Sequence, residues 1–152
     1  MYYINEICFS VIRVPGSITA SRGVTIYMAR ILVIDDDPGV RSLLSDIFSG
    51  MEQKHTVMEA SDGLRGLELA KLHLPDVVVV DVDMPGLNGY EVCSHLRTDP
   101  ATRRIPILML TGTTNLPGAI KSLASGADDH ITKPFDVDEV AARVQALLIR
   151  FQ

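Results

Sequence analysis

VVVVDVDMPG, residues 77–86, sets four valines directly before Asp81, adds a second acid at Asp83 and closes on Met84-Pro85-Gly86. A strand so continuously apolar suits burial on both faces, which is the environment of a parallel sheet covered by helices. Asp81 and Asp83 then stand where that strand ends.

The flanking sequence repeats the same beat. Arg30–Ile34 (RILVI) reads as a buried strand; Asp37-Pro38 follows as a cap and a first-turn proline, and Val40, Leu43, Leu44, Ile47 and Phe48 keep helical spacing. His55–Glu59 is a weaker strand, Ser61–Leu74 a helix, Asp76–Val80 the third and most apolar strand, and Gly89–Arg97 a short helix. Pro106–Leu110 and Asp129–Thr132 are the fourth and fifth strands, separated by a weak helix over Ala119–Ser125. Asp136 with Glu139 has the form of a capping box before a last helix, which carries Val137, Val140, Val144, Leu147 and Leu148 on one face and ends near Arg150. Five strands alternating with five helices predict a doubly wound parallel α/β sheet, whose site gathers at the carboxyl ends of the strands.

At 152 residues, 47% hydrophobic and 22% charged, the chain has the length of one soluble domain with a real core. Of 14 Lys plus Arg and 19 Asp plus Glu, Arg13, Arg22 and Glu6 precede Met28, so 12 basic residues face 18 acidic ones from there on. That balance repels a nucleic acid backbone, and no direct nucleic acid contact is expected. Cys8 and Cys93 form no Cys-x-x-Cys pair and suggest a reducing, cytoplasmic setting.

Residues 1–27 differ in kind, with few charges, no helical period and Pro-Gly and Arg-Gly breaks. Glu6 near the start and the interruptions at Ser10 and Arg13 fit a signal peptide badly, and the apolar stretch is too short to span a bilayer, so no membrane insertion is expected. The expectation is an N-terminal extension over 1–27, outside a fold over 28–152, such as an upstream start read in place of Met28. The alternative is a short strand or arm that contacts a partner.

If strands one and three are neighbours, about 4.8 Å apart, Asp35 and Asp36 come up against Asp81. Three carboxylates that close raise at least one pKa or cost stability, and a hard divalent cation relieves them. Mg2+, which takes one or two carboxylates and keeps several waters, is the expected ion. Thr111 and Lys133, at the ends of the fourth and fifth strands, add a hydroxyl and a cation. Such a set suits phosphoryl transfer, with a carboxylate as nucleophile and cations neutralising the equatorial oxygens.

From Met28 to about Phe151 the chain resembles the receiver domains of two-component response regulators, on ILVIDDDP, PDVVVVDVDMPGLNG, LTG and GADDHITKPF in that order. The resemblance implies the flavodoxin-like (βα)5 strand order 2-1-3-4-5. It implies Asp81 as the phosphorylated residue, Asp35 and Asp36 as the metal-binding acids, and the Asp83 backbone carbonyl as a further metal ligand. It makes Thr111 the switch hydroxyl and Lys133 the lysine before a cis proline, and sets His130 where an aromatic switch residue, more often Tyr or Phe, is expected. His130 would pack with less energy and be sensitive to pH; a plain surface histidine is the alternative. Asp83 either positions water against the acyl phosphate or faces solvent.

The stretch from Thr111 to Ala127, with Lys121 its one charge and several poor helix formers, predicts a short, loosely held fourth helix. Cys93 is expected in the core, His55, His73 and His95 are too scattered for a metal site, and Asn88-Gly89 marks a turn. The partners implied are a sensor histidine kinase or phosphotransfer protein and, downstream, a protein that reads the face of helix four, strand five and helix five. The expected protein catalyses its own phosphorylation and dephosphorylation and is otherwise no enzyme. It is expected to work as a stand-alone single-domain regulator; the alternative is the severed receiver of a larger one. A rival is a haloacid-dehalogenase-type phosphatase with Asp81 as nucleophile and Asp83 as general acid, although the acidic pair before Asp81 and the lack of room for a cap domain speak against it.

Overall fold

The computed structural model describes residues 17–19, 25–51, 53–112 and 116–151. Two short strands, β1 (Ser17–Thr19) and β2 (Thr25–Tyr27), pair antiparallel outside the main sheet, so the extension contains a strand pair. Its other residues lie outside those described. The main sheet is built from β3 (Arg30–Ile34), β4 (Thr56–Ala60), β5 (Val77–Asp81), β6 (Ile107–Thr111) and β7 (Asp129–Thr132). Its order is β4-β3-β5-β6-β7, every pair parallel, which is 2-1-3-4-5 counted within the sheet. The helices are α1 (Pro38–Gly50), α2 (Gly63–His73), α3 (Gly89–Thr98), α4 (Leu116–Ala124) and α5 (Val137–Arg150).

Strand alternation feeds two separate cores. Leu32, Ile34, Val78, Val80, Ile107 and Met109 pack with Val92, Cys93 and Leu96 of α3 on one face. Ile31, Val33, Val77, Val79, Leu108 and Leu110 pack with Leu44 and Phe48 of α1 and Val140 and Val144 of α5 on the other. Both faces of each central strand are therefore apolar, which is why their sequences show no polar alternation. Cys93 is fully buried, as expected.

The predicted boundaries shift by a few residues. The first helical and strand-one limits hold, with Asp37 capping α1 through Gly39 N–H at 2.8 Å. Strands two to four begin one residue later than expected, and the third thereby ends on Asp81 itself. Pro106 has no N–H for the ladder, and Asp76 instead accepts the Arg30 N–H at 2.7 Å. The second helix is shorter than Ser61–Leu74, because Asp62 turns out of it to cap Arg65 N–H and Leu74 adopts the left-handed conformation that closes it. The fourth starts three residues before Ala119: Pro117 reads as a breaker, but in a first turn its missing N–H costs nothing.

Two caps change places with expectation. Asn88 and Glu91 form a reciprocal capping box on α3, where the sequence suggests a bare turn. At α5, Asp136 accepts from Asp138 N–H at 2.7 Å, and Glu139 lies 3.7 Å from Arg143.

Candidate functional site at the switch point of the sheet

Strand order reverses between β3 and β5, and at that point the carboxyl ends of neighbouring strands part to leave a crevice. The register sets Ile34 beside Val80, so Asp35 just after β3 and Asp81 at the end of β5 meet there. One oxygen each from Asp35, Asp36 and Asp81 lies within 4.8 Å of the others. Asp81 and Asp35 are 2% and 1% exposed, while Asp36 is open to solvent.

Lys133, directly after β7, reaches across to this pair. Its Nζ is 2.9 Å from Asp81 Oδ1 and 3.3 Å from Asp35 Oδ2. The contact with Asp81 is an ion pair whose geometry falls outside a hydrogen bond, so that buried Oδ1 has no hydrogen-bond donor. The peptide between Lys133 and Pro134 is cis, as the resemblance implies.

Burial raises the Asp35 carboxyl above its usual range, against the opposing pull of the Asp37 N–H and of Lys133. Burial also raises Asp81; Lys133 opposes it, and the Asp35 charge adds to it. Burial pulls the Lys133 ammonium down, but the two carboxylates outweigh it and hold it above its ordinary value. A single cation thus serves two buried acids, with a third carboxylate beside them. An oxygen-rich, cation-poor cluster with an unsatisfied Asp81 oxygen fits a hard divalent ion, for which Asp35, Asp36 and Asp81 are the available side chains.

The remaining expected residues occupy the same edge. Thr111 is fully buried at the end of β6, and its carbonyl accepts the Lys133 N–H at 2.7 Å. Asp83 is exposed; its backbone N–H supports the charged form of Asp81, and its Oδ2 lies 3.3 Å from where a Cβ on Gly112 would stand. Asp83 therefore leans over the crevice toward the end of β6. His130 is half-buried and pairs in register with Met109, two ladder positions from Thr111.

Three supporting residues escape the sequence reading. Arg41 donates to the Asp35 carbonyl at 2.7 Å and sits 3.6 Å from Glu59, bracing the acidic loop from α1. Gly89 packs so closely that a Cβ there would meet the Asp81 carbonyl oxygen at 2.5 Å, so α3 can start against the end of β5 only with glycine. The pattern Asn-Gly at a helix start was its one signal. His55 is buried and accepts the Ala29 N–H through Nδ1 at 3.1 Å; it serves the fold, while His73 and His95 are exposed.

The fold is a doubly wound α/β domain with three acids and a lysine at its switch point, and comparison with known proteins identifies the family. A family model for the response regulator receiver domain matches residues 31–145, and the chain belongs to that family. It is 45% identical over 124 residues to the DNA-binding dual master transcriptional regulator RpaA of Synechocystis, covering 81% of this chain and 50% of RpaA. It is 41% identical over 120 residues to the response regulator PleD of Caulobacter vibrioides, covering 78% of this chain and 26% of PleD. The chain thus spans half or less of the length of these relatives. Among solved structures, the Francisella response regulator 1452 receiver domain superposes with TM-score 0.76 at 31% identity, covering 82% of this chain and 99% of that one. The chemotaxis protein CheY4 of Vibrio cholerae superposes with TM-score 0.74 at 30% identity, covering 79% and 98%. This is a receiver domain of a response regulator, a component of two-component systems. Among the described residues no helix is long and apolar enough to cross a membrane.

Proposed function

We propose that Asp81 accepts a phosphoryl group from a histidine kinase or phosphotransfer protein, and that the change is passed to a protein partner through the face formed by α4, β7 and α5. The observation that carries this reading is the Asp81 carboxylate, 2% exposed at the end of the central strand, with Oδ1 lacking a hydrogen bond and Lys133 at 2.9 Å. A carboxylate so placed is desolvated, and its attack on phosphorus forms an O–P bond as the P–N bond to the donor imidazole breaks. The imidazole keeps the electron pair and takes a proton. Lys133, 2.9 Å from Asp81, would neutralise the equatorial oxygens, and the buried Thr111 would hydrogen-bond one of them.

Mg2+ bound by Asp35, Asp36, Asp81 and the Asp83 carbonyl would supply Lewis-acid neutralisation of the phosphoryl oxygens. Hydrolysis of the acyl phosphate by water returns Asp81 and phosphate, so the protein acts chemically on itself and is not an enzyme for other molecules. Thr111 and His130, on one face of neighbouring strands, are the proposed switch residues. The acidic balance supports a receiver that does not itself touch nucleic acid, working alone or as part of a longer regulator, and the cysteine usage supports a cytoplasmic setting. Membership in the receiver family supports this reading over the phosphatase alternative.

The test is intact mass after incubation with acetyl phosphate, with and without Mg2+, for wild type and Asp81→Asn. One phosphoryl gain that needs both Mg2+ and Asp81 is expected. No gain in folded wild-type protein, or sustained turnover of an external phosphoester, overturns the proposal.

A further inference from the structure

The edge of the sheet opposite Asp81 carries a second charged site. Arg97 at the end of α3, Arg103 and Arg104 in the α3–β6 connection, Asp128 before β7, and Arg150 and Phe151 at the end of α5 line a cleft of about 480 Å³. Four of the chain's 14 basic residues gather here, although its net charge is -5.

Arg97 forms a wall of this cleft and is held by four hydrogen bonds. It donates through Nε to the Gly126 carbonyl at 2.8 Å, through Nη1 to the Arg103 and Ile105 carbonyls, and through Nη2 to Asp128 at 2.8 Å. This also neutralises Asp128, the one acid in the lining. The connection is braced further by Thr102 Oγ1 on the Leu96 carbonyl and by Arg103 N–H on the Asp99 carbonyl, at 2.9 Å each. Arg103 and Arg104 therefore project from a fixed backbone.

Arg103, Arg104 and Arg150 have no carboxylate within ion-pair distance among the described residues. Arg150 stands 5.4 Å from the centroid of the Phe151 ring, which keeps a half-open face. Placement at the carboxyl end of α5 accounts for Arg150 through the helix dipole, but it does not account for the two loop arginines converging on the same space.

We propose that this cleft binds a nucleoside diphosphate: the guanidinium groups of Arg103, Arg104 and Arg150 hold the phosphates and Phe151 stacks on the base. Guanidinium forks match phosphate oxygens in pairs, an exposed ring offers a stacking face to any base, and the volume is that of a small-molecule site. An acidic peptide would use the charges but has no need of the ring. The proposal rests on this cleft alone and stands apart from phosphorylation at Asp81.

The experiment is an ADP titration of the full chain without Mg2+, followed by backbone amide NMR, with pyrophosphate and adenosine titrated in parallel. Saturable shifts confined to residues near Arg97, Arg103, Asp128 and Arg150 are expected, with ADP tighter than either fragment. The Arg103→Ala/Arg104→Ala pair, both exposed, should weaken ADP by about tenfold or more, because charge-assisted pairs are the strong ones. Phe151→Leu should weaken ADP several-fold and leave pyrophosphate unchanged. Shifts that do not saturate, an arginine pair variant that binds as wild type does, or pyrophosphate binding as tightly as ADP each overturn the proposal.

Discussion

Asp35 and Lys133, 98 positions apart in the chain, meet at 3.3 Å, and the same ammonium lies 2.9 Å from Asp81. Two buried acids share one cation, so the lysine is structural before it is chemical. Lys133→Met should destabilise the protein by about 2–3 kcal/mol, since it leaves buried carboxylates uncompensated. Adding Asp81→Asn should restore part of that loss, and urea unfolding of the four species measures it. Strict additivity of the two changes would show that the lysine does not offset the acid.

The raised carboxyls of Asp35 and Asp81 carry a sign. A folded-state pKa above the unfolded value contributes stability at low pH, and that contribution is lost as pH rises through the folded pKa. At pH 7 the pair is therefore a cost that a cation can relieve. Mg2+ at ten times its dissociation constant should stabilise the wild type by about 1.4 kcal/mol. Asp36→Asn should remove most of that rise in thermal midpoint, and an undiminished rise would place the ion elsewhere.

Asp83 is exposed with its carboxylate near Gly112, at the end of the strand beside Asp81, and we predict that it orients water toward a phosphoryl group on Asp81. Asp83→Asn should lengthen the phosphorylated lifetime roughly fivefold, less than the ~10²-fold of a fully positioned base because the side chain is exposed. Decay of phosphorylated protein by intact mass reads this directly; an unchanged rate would leave Asp83 as a surface acid.

His55 is buried at the opposite edge of the sheet, and burial lowers its pKa below 6.5, with the Asp76 charge opposing. The unfolded chain takes up a proton near pH 6.5 that the folded chain resists, so stability should fall as pH drops below that value. The slope can reach about 1.4 kcal/mol per pH unit. Denaturant unfolding between pH 5 and 7.5 measures it, and His55→Gln, which keeps an acceptor for Ala29 N–H but does not titrate, should lose this part of the slope.

Helix α4 should exchange its amide hydrogens faster than α5. Pro117, Ile120, Lys121, Leu123 and Ala124 are all exposed, whereas α5 buries Val140, Val144, Leu147 and Leu148. Its described tether is Lys121 Nζ, 4.6 Å from the Tyr90 ring centroid. Equal protection of the two helices in hydrogen exchange would refute the assignment.

The strand-and-helix alternation, the parallel sheet and the acid-bearing strand ends were legible in the chain because they are local: apolar runs, caps and turn residues report on their own neighbourhood. Val77–Val80 declares a strand buried on both faces without reference to anything else. Element limits were less legible, since Pro117 and the residues at strand ends depend on where the first turn or the ladder bond falls. Strand order came from family resemblance, and the meeting of Asp35, Asp81 and Lys133 depends on it, because the order decides which carboxyl ends are neighbours. Only tertiary structure could decide that Gly89 must lack a side chain, that His55 is interior, and that three arginines from two distant elements converge. Each is a matter of what approaches from elsewhere in the fold, and periodicity along one segment carries no trace of it.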